Sequence, residues 1–382
     1  MAIPLRAFWR RISDGVEIQQ LWAQFRIEAR ASYQLYSREV EWRRLEGESR
    51  GRRVLRVIRG LFWAMMMKLS PARRVLFLIA LVLLMSPRCS FIYQGNQVEW
   101  QDLAFAGGLA LLVLFALELA DRVTMKRDLE IARDIQSWLM PAAPPQVRGV
   151  EIAFATRPAN TVAGDYYDAF LRPAVGGYEL QANPPEGSER LLLVVADVAG
   201  KSIPAALLMA TLQASLHTLA ALPVSLLDLV GRWNQYVCAQ NLGRHRFTTG
   251  FLAELEPATG HLDYVNAGHN WPVLRHASGK IERLESGGLP LGIMTDARYE
   301  CGSATIASGD LLVIFTDGLV EAEDEKEREY GEARMMEIID KSSGRSAADV
   351  LKQLMTSVDV FAGAARQHDD ITCLILQASS PN

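Results

Sequence analysis

The 382-residue chain has only four cysteines, Cys89, Cys238, Cys301 and Cys373, far apart and with no CxxC pair. That usage argues against a disulfide framework and a thiolate zinc site, and fits ordinary thiols in a reducing compartment. The six histidines are equally scattered and form no HxH or HExxH arrangement, which argues against a histidine zinc centre. No GxSxG elbow offers a serine nucleophile, and no basic phosphate-cradling loop surrounds a cysteine. The string AGKS at Ala199 to Ser202 lacks a phosphate-binding loop's first glycine, because Val195 occupies that place inside an apolar run. Gly200 therefore reads as the tight turn between a strand and a helix, and Lys201 stays as a candidate phosphate contact. His269, in NAGHN, reads as a turn residue after a strand. There is no internal repeat.

What the chain does have is a set of aspartates at the rims of apolar, strand-like runs. Asp165 lies in AGDYYD, Asp197 in LLLVVADVAGKS, Asp317 in LLVIFTDGL, and Asp369 with Asp370 in HDDITCLIL. An ionised carboxylate in such a place is costly unless a cation compensates it. No matching set of Lys or Arg accompanies these acids, so the pattern points to divalent cations, for which hard oxygens are the natural ligands. Any one Asp-Gly pair taken alone is equally a turn device.

Charge is unevenly distributed. Residues 1–150 carry 22 Lys and Arg against 14 Asp and Glu, leaving 18 against 30 for residues 151–382. An acidic second half argues against a nucleic-acid-binding surface. The basic first half flanks two apolar stretches, Val75 to Pro87 and Leu103 to Leu117. Each is shorter than the ~20 residues of a bilayer span, so length alone also allows buried soluble helices. Arg73 and Arg74 at one end, and Phe91, Tyr93 and Trp100 between the stretches, favour a transmembrane hairpin. The Arg/Lys series from Arg38 to Arg74, against one basic residue between Arg88 and Asp102, places both ends on the cytoplasmic side. The apolar segment begins too far from Met1 to be a cleavable signal.

Four segments follow: a helical N-terminal region (1–74), a membrane helical hairpin (75–117), a helical linker (118–140) and a catalytic domain (141–382). In the linker, Met125, Leu129, Ala132, Gln136 and Leu139 make a heptad-like stripe, a candidate seam for coupling and homodimerisation, with a passive spacer as the alternative. Pro141, Pro144 and Pro145 end that helix. Beyond Val150 the expected strands are Glu151 to Arg157, Tyr178 to Gln181, Leu191 to Ala196, Phe251 to Leu255, Leu262 to Asn266, Pro272 to Arg275, Leu311 to Thr316 and Ile371 to Gln377. Helices are expected at Pro204 to Ala220, Val224 to Gln240, Glu332 to Lys341 and Ala347 to Phe361, with a loop or hairpin insertion over Arg172 to Arg190. Strands in groups followed by paired helices give an α+β layered domain.

The runs GDYYD, ADVAGKS followed by PAALLMA, NAGHN, TDGLVEA and HDDIT, in that order, resemble the SpoIIE/RsbU branch of the metal-dependent PPM serine/threonine phosphatases. The resemblance covers about Leu129 to Gln377; it departs at Ser202, where the family usually has glycine. It implies an αββα sandwich with two divalent cations, manganese or magnesium. By motif position Asp197 would bridge both ions, Asp165 would bind one, Asp317 and Asp369 the other, and the Val198 carbonyl would complete a site, with Asp370 beside Asp369 as a member of the metal set or as the holder of a metal-bound water. The catalytic residues would be Asp197 and Asp317, and a metal-activated water would attack the phosphorus without a phosphoenzyme. The implied function is a bacterial signalling phosphatase, held at the inner membrane with both termini and the catalytic domain cytoplasmic. It would act on a phosphorylated STAS-domain anti-anti-sigma-like partner. The competing reading, a catalytically inactive receptor or scaffold, would be favoured by loss of the carboxylates.

Overall fold

The computed structural model describes residues 59–379, apart from 61, 64–65, 86–89, 94–95, 100–102, 174–188, 201–202 and 241–246. The expected strand Tyr178 to Gln181, Lys201 and most of the N-terminal region lie outside the described residues. Two compact units divide after Thr124.

In the first unit, helix α1 (Pro71–Met85) is followed by a short antiparallel hairpin, β1 (Ser90–Tyr93) and β2 (Asn96–Glu99), and then by α2 (Leu103–Leu139). The two helices approach closely at Gly107, where a Cβ would meet the Ala80 carbonyl at 2.8 Å. Arg73 is paired rather than extended toward an interface, donating to Glu118 at 3.0 Å and Asp121 at 2.6 Å. The apolar stretch and the linker are one continuous 37-residue helix.

The second unit is a four-layer sandwich. One sheet runs β10 (Gly287–Gly288), β7 (His261–Ala267), β6 (Thr248–Glu256), β5 (Glu189–Val198), β4 (Tyr166–Pro173), with β11 (Gly302–Thr305) also on β7. The other runs β3 (Val150–Arg157), β13 (Ile371–Ala378), β12 (Leu311–Phe315), β8 (Val273–Arg275), β9 (Ile281–Arg283). Alternation of side chains explains the layering, since successive residues of β5 face opposite ways. Leu191, Leu193 and Val195 enter the core between the sheets, whereas Leu192, Val194 and Ala196 pack beneath α3 (Ile203–Ala220) and α4 (Leu226–Gln240). The outer face of the second sheet is covered by α6 (Glu332–Asp340) and α7 (Ala347–Ala362), with Phe315, Leu354 and Ile375 in that third core. The short α5 (Asp317–Val320) sits at the end of β12. Ser346 caps α7 by accepting from the Asp349 N–H, and Gly363 ends it with φ +59°.

The expected αββα, α+β architecture is thus the one observed, and the helices and most strands lie within a few residues of their expected places. Strand β4 was not anticipated. Its polar residues resemble loop composition, yet Arg172 is buried against Glu254 at 3.3 Å, and Glu254 also receives Arg190 at 3.3 Å. Arg172 donates further to the carbonyls of Leu222 and Val224, holding the α3–α4 turn against the sheet. Removing one member of a buried ion pair leaves an uncompensated charge, so Arg172→Ala should cost about 3–5 kcal/mol. The double variant Arg172→Leu/Glu254→Leu should recover much of it, as measured by urea unfolding.

Candidate metal centre

Every sequence-expected carboxylate comes from the same end of the two central sheets. Asp165 immediately precedes β4 and Asp197 is the penultimate residue of β5; the pairing Tyr166 to Ala196 sets them side by side. Asp317 opens α5 directly after β12, and Asp369 and Asp370 directly precede β13, the antiparallel neighbour of β12. Two hairpin-like strand ends, one from each sheet, therefore present their acids to one another. Gly318 makes this closure possible, because a Cβ there would lie 2.0 Å from the Asp370 carbonyl oxygen. Gly200 has φ +123°, as a tight turn between β5 and α3 requires.

The two sheets are joined at this end by buried hydroxyls. Thr316 Oγ1 donates to Asp165 Oδ2 at 2.9 Å and accepts from the Thr372 N–H at 2.9 Å. Asp370 accepts backbone N–H bonds from Ala159 and Gly164, so it clamps the loop that delivers Asp165. Asp165 is buried, and burial followed by the nearby Asp197 charge raises its carboxyl well above the ordinary range. Asp197 is pushed up to about 7 by burial and by Asp317 and Asp369. Burial likewise raises Asp370. Among the described residues, no lysine or arginine forms an ion pair with Asp165 or Asp197. No three of the acids, as placed, form a set that could hold a metal ion. They sit at charge–charge range as an all-oxygen donor set, with Asp165 buried and Asp197, Asp317, Asp369 and Asp370 half-buried. That donor chemistry fits hard divalent cations, which would draw the carboxylates inward and relieve their repulsion.

His269 plays a supporting part. Asn266 accepts from its N–H at 2.7 Å and donates to its carbonyl at 3.0 Å, fixing the turn after β7. Burial, partly offset by the Phe315 carbonyl, lowers its imidazole to about 4, so the ring is neutral. The motif acid Asp168 lies off the cluster, bonded to Tyr166 Oη at 2.8 Å and His217 Nε2 at 2.7 Å. Sequence reasoning gave no role to Thr316 or Thr372, and placed Gln136 only in the heptad-like stripe. Their signal was a polar residue within an otherwise apolar strand or stripe.

Comparison with known proteins gives the family and the fold. The family model for stage II sporulation protein E (SpoIIE) matches residues 187–379. The chain belongs to the SpoIIE family. Protein IcfG of Synechocystis is 27% identical over 75% of this chain and 44% of its own length. The phosphoserine phosphatase RsbU of Bacillus subtilis is 28% identical over 66% of this chain and 70% of its own. The chain thus spans less than half of the former relative. The SiaA-PP2C domain of Pseudomonas aeruginosa shares the fold, with a TM-score of 0.56 at 18% identity over 68% of this chain and 98% of that domain. The RsbU and RsbW domains of a Mycobacterium tuberculosis protein superpose with a TM-score of 0.51 at 24% identity, covering 64% of each chain.

The end of α2 is bonded to the loop that delivers Asp165. Gln136 is buried, donates to the Ala163 carbonyl at 2.7 Å and accepts the Ala163 N–H at 2.9 Å. Ala163 is two residues from Asp165. Leu129, Ala132 and Leu139 of the heptad-like stripe are half-buried beside Gln136, while Met125 is exposed. Ile131, Ile135 and Trp138 face solvent. Part of the seam expected to pair two copies is therefore used within this chain. Gln136→Ala should strand two buried backbone groups, at about 1–3 kcal/mol each. Leu139→Lys should also loosen the loop before Asp165, both raising amide hydrogen exchange at residues 159–165 above that of Ile135→Lys.

Proposed function

We propose that this chain is a membrane-tethered, metal-dependent protein phosphatase that removes phosphate from phosphoserine or phosphothreonine of a protein partner. The observation that carries the reading is the meeting of Asp165, Asp197, Asp317 and Asp369 at one end of the sandwich, close enough that the neighbouring carboxylates raise Asp165 and Asp197. The naming of two relatives, RsbU and RsbP of Bacillus subtilis, as phosphoserine phosphatases supports it. An inactive receptor would have no need of Asp165 and Asp197, whose charge is costly where they sit.

Asp197 lies within charge range of Asp317 and Asp369 on the other sheet and beside Asp165 on its own. By motif position Asp165, Asp197, Asp317 and Asp369, with the Val198 carbonyl completing a site, would hold the ions. Asp370 and Thr316 orient Asp165 through the bonds described above. Two manganese or magnesium ions, when bound, supply charge neutralisation for the phosphate and a water nucleophile at neutral pH. Lys201, beyond the described residues, is a candidate substrate contact. The partner class is a phosphorylated STAS domain in a switching pathway of the kind the family resemblance implies.

Helix α2 is long and apolar enough to cross a membrane and is mostly unburied. Helix α3 passes the same test, but its Met209, Leu212 and Leu216 are in the domain core. Helix α1 has 15 residues, short for a span unless its flanks contribute. Our reading is a hairpin of α1 and the first half of α2 in the bacterial inner membrane, with the catalytic domain cytoplasmic. The exposed Ile131, Ile135 and Trp138 are the residues left for self-association, so Ile135→Lys should lower the mass of a detergent-solubilised dimer.

A chelator should abolish phosphate release from a phosphoserine protein, and manganese should restore it. Asp197→Asn and Asp317→Asn should each lower kcat by at least roughly a hundredfold, as loss of metal-ion catalysis would. Lys201→Ala and His269→Ala should be milder, since neither side chain is assigned a metal. Full turnover in excess chelator would defeat the mechanism.

A further inference from the structure

Away from the acid cluster, α6 and α7 enclose a groove of about 860 Å³ on the outer face of the sandwich. Four of its lining side chains are cationic, Arg334, Lys341, Arg345 and Lys352, against two carboxylates, Glu337 and Asp349. Glu337 and Lys341 pair at 2.6 Å, and Asp349 keeps its charge while accepting from the neutral cap residue Ser346 at 2.8 Å, so Arg334, Arg345 and Lys352 leave the lining net cationic. Two of the cations are held in place by neutral partners, so their charge is positioned but not cancelled. Arg334 lies 4.5 Å over the Phe361 ring and donates to the Tyr330 carbonyl, and Arg345 donates to Gln353. Val360, 78% exposed, gives the groove an apolar contact at its far end.

This basic groove lies in the acidic half of the chain, where solvation of an acidic surface gives no reason to gather four cations. One of the same helices also leads toward the catalytic end. Helix α7 lines the groove from Asp349 to Val360, and its last turn, Asp359 and Ala362, lines a second cavity of about 520 Å³ that reaches Gly318 and Asp369. That second cavity has the opposite character, with Glu321, Glu323 and Glu329 on its wall. From Gly363 back to Asp349 the helix covers roughly 20 Å at 1.5 Å per residue.

We propose that the α6–α7 groove is a docking site for an acidic segment of the phosphoprotein substrate, set apart from the phosphoserine and bound while that serine is at the metal centre. The inference rests on the phosphatase reading above. Charge complementarity selects the occupant, and the acidic wall near Asp369 sets the spacing, because carboxylates adjacent to the phosphoserine would be repelled there. An extended chain covers roughly 20 Å in about six residues. Binding energy from this remote contact would distinguish a folded protein partner from free phosphoserine, and it would fade with salt because the groove is open to solvent.

The test uses the full chain with manganese and three synthetic phosphoserine peptides: one without acidic residues, one with a Glu-rich stretch starting six residues away, and one with that stretch adjacent. The spaced peptide should have a KM roughly tenfold lower than the plain one, as a few exposed ion pairs can supply. The adjacent stretch should give no such gain, and 0.5 M salt should erase the difference. Arg345→Glu/Lys352→Glu should lose the gain while hydrolysing p-nitrophenyl phosphate at the unaltered rate, and Lys352→Gln should lose part of it. Equal KM values for the plain and spaced peptides, or a gain that survives the double variant, would overturn the docking site. Either result, joined to a loss of affinity of the double variant for phosphatidylglycerol vesicles, would assign the groove to lipid instead. Failure of the wild type to hydrolyse any peptide or p-nitrophenyl phosphate would defeat the phosphatase reading.

Discussion

Repulsion among carboxylates held at the ends of β-strands is the constraint on which the rest of this molecule depends. Asp165 and Asp197 are taken out of water by the sandwich itself and face each other, with Asp317 and Asp369 close enough to raise the charge cost further. A protein selected only for stability would replace them. Their retention makes sense if an ion of opposite sign restores the balance, and the surrounding structure reads as the apparatus that keeps them in place. Thr316 ties Asp165 to the opposite sheet, Asp370 holds the loop, and Gly318 lets the second strand end come near.

This arrangement connects the layers to function. Each central sheet contributes two neighbouring antiparallel strands, and each strand carries an acid at or beside its end. Because the sheets are packed through Leu193, Val195, Ile314 and Leu374, movement of one sheet against the other would shift two acids relative to the other pair. Helix α2 reaches the same loop through Gln136, so the helix that leads out of the apolar region is mechanically attached two residues from Asp165.

Much of this was legible in the sequence. Apolar runs of five to eight residues with Asp at one end marked β5, β12 and β13 because strands buried on both faces have no alternation to hide. The amphipathic helices α4, α6 and α7 were equally plain. Strand β4 was not, since Asp168 and Arg172 resemble loop residues until His217 and Glu254 are seen opposite them across the fold. The short β9, β10 and β11 hold too few residues to make a periodic signal. The heptad-like stripe was correctly placed on a helix, but whether it packs on a second copy or on its own domain is a tertiary question that spacing leaves open. Buried hydroxyls such as Thr316 have no local signature, for their role comes from a residue 151 positions away.

The central claim is that divalent cations neutralise this buried negative charge. Thermal unfolding of the wild type and of Asp197→Asn, with and without manganese, tests it most directly. Without metal, a carboxyl raised to about 7 in the folded state stabilises the protein below its unfolded value near 4 and loses that contribution as pH rises through 7. The metal-free wild type should therefore lose stability between pH 5 and pH 8, while Asp197→Asn loses less and is the more stable of the two at pH 8. Manganese at about a hundred times its Kd should stabilise the wild type by about 2.7 kcal/mol at pH 8 and the variant by far less. A wild-type Tm indifferent to manganese, together with no gain in the metal-free variant, would contradict the account.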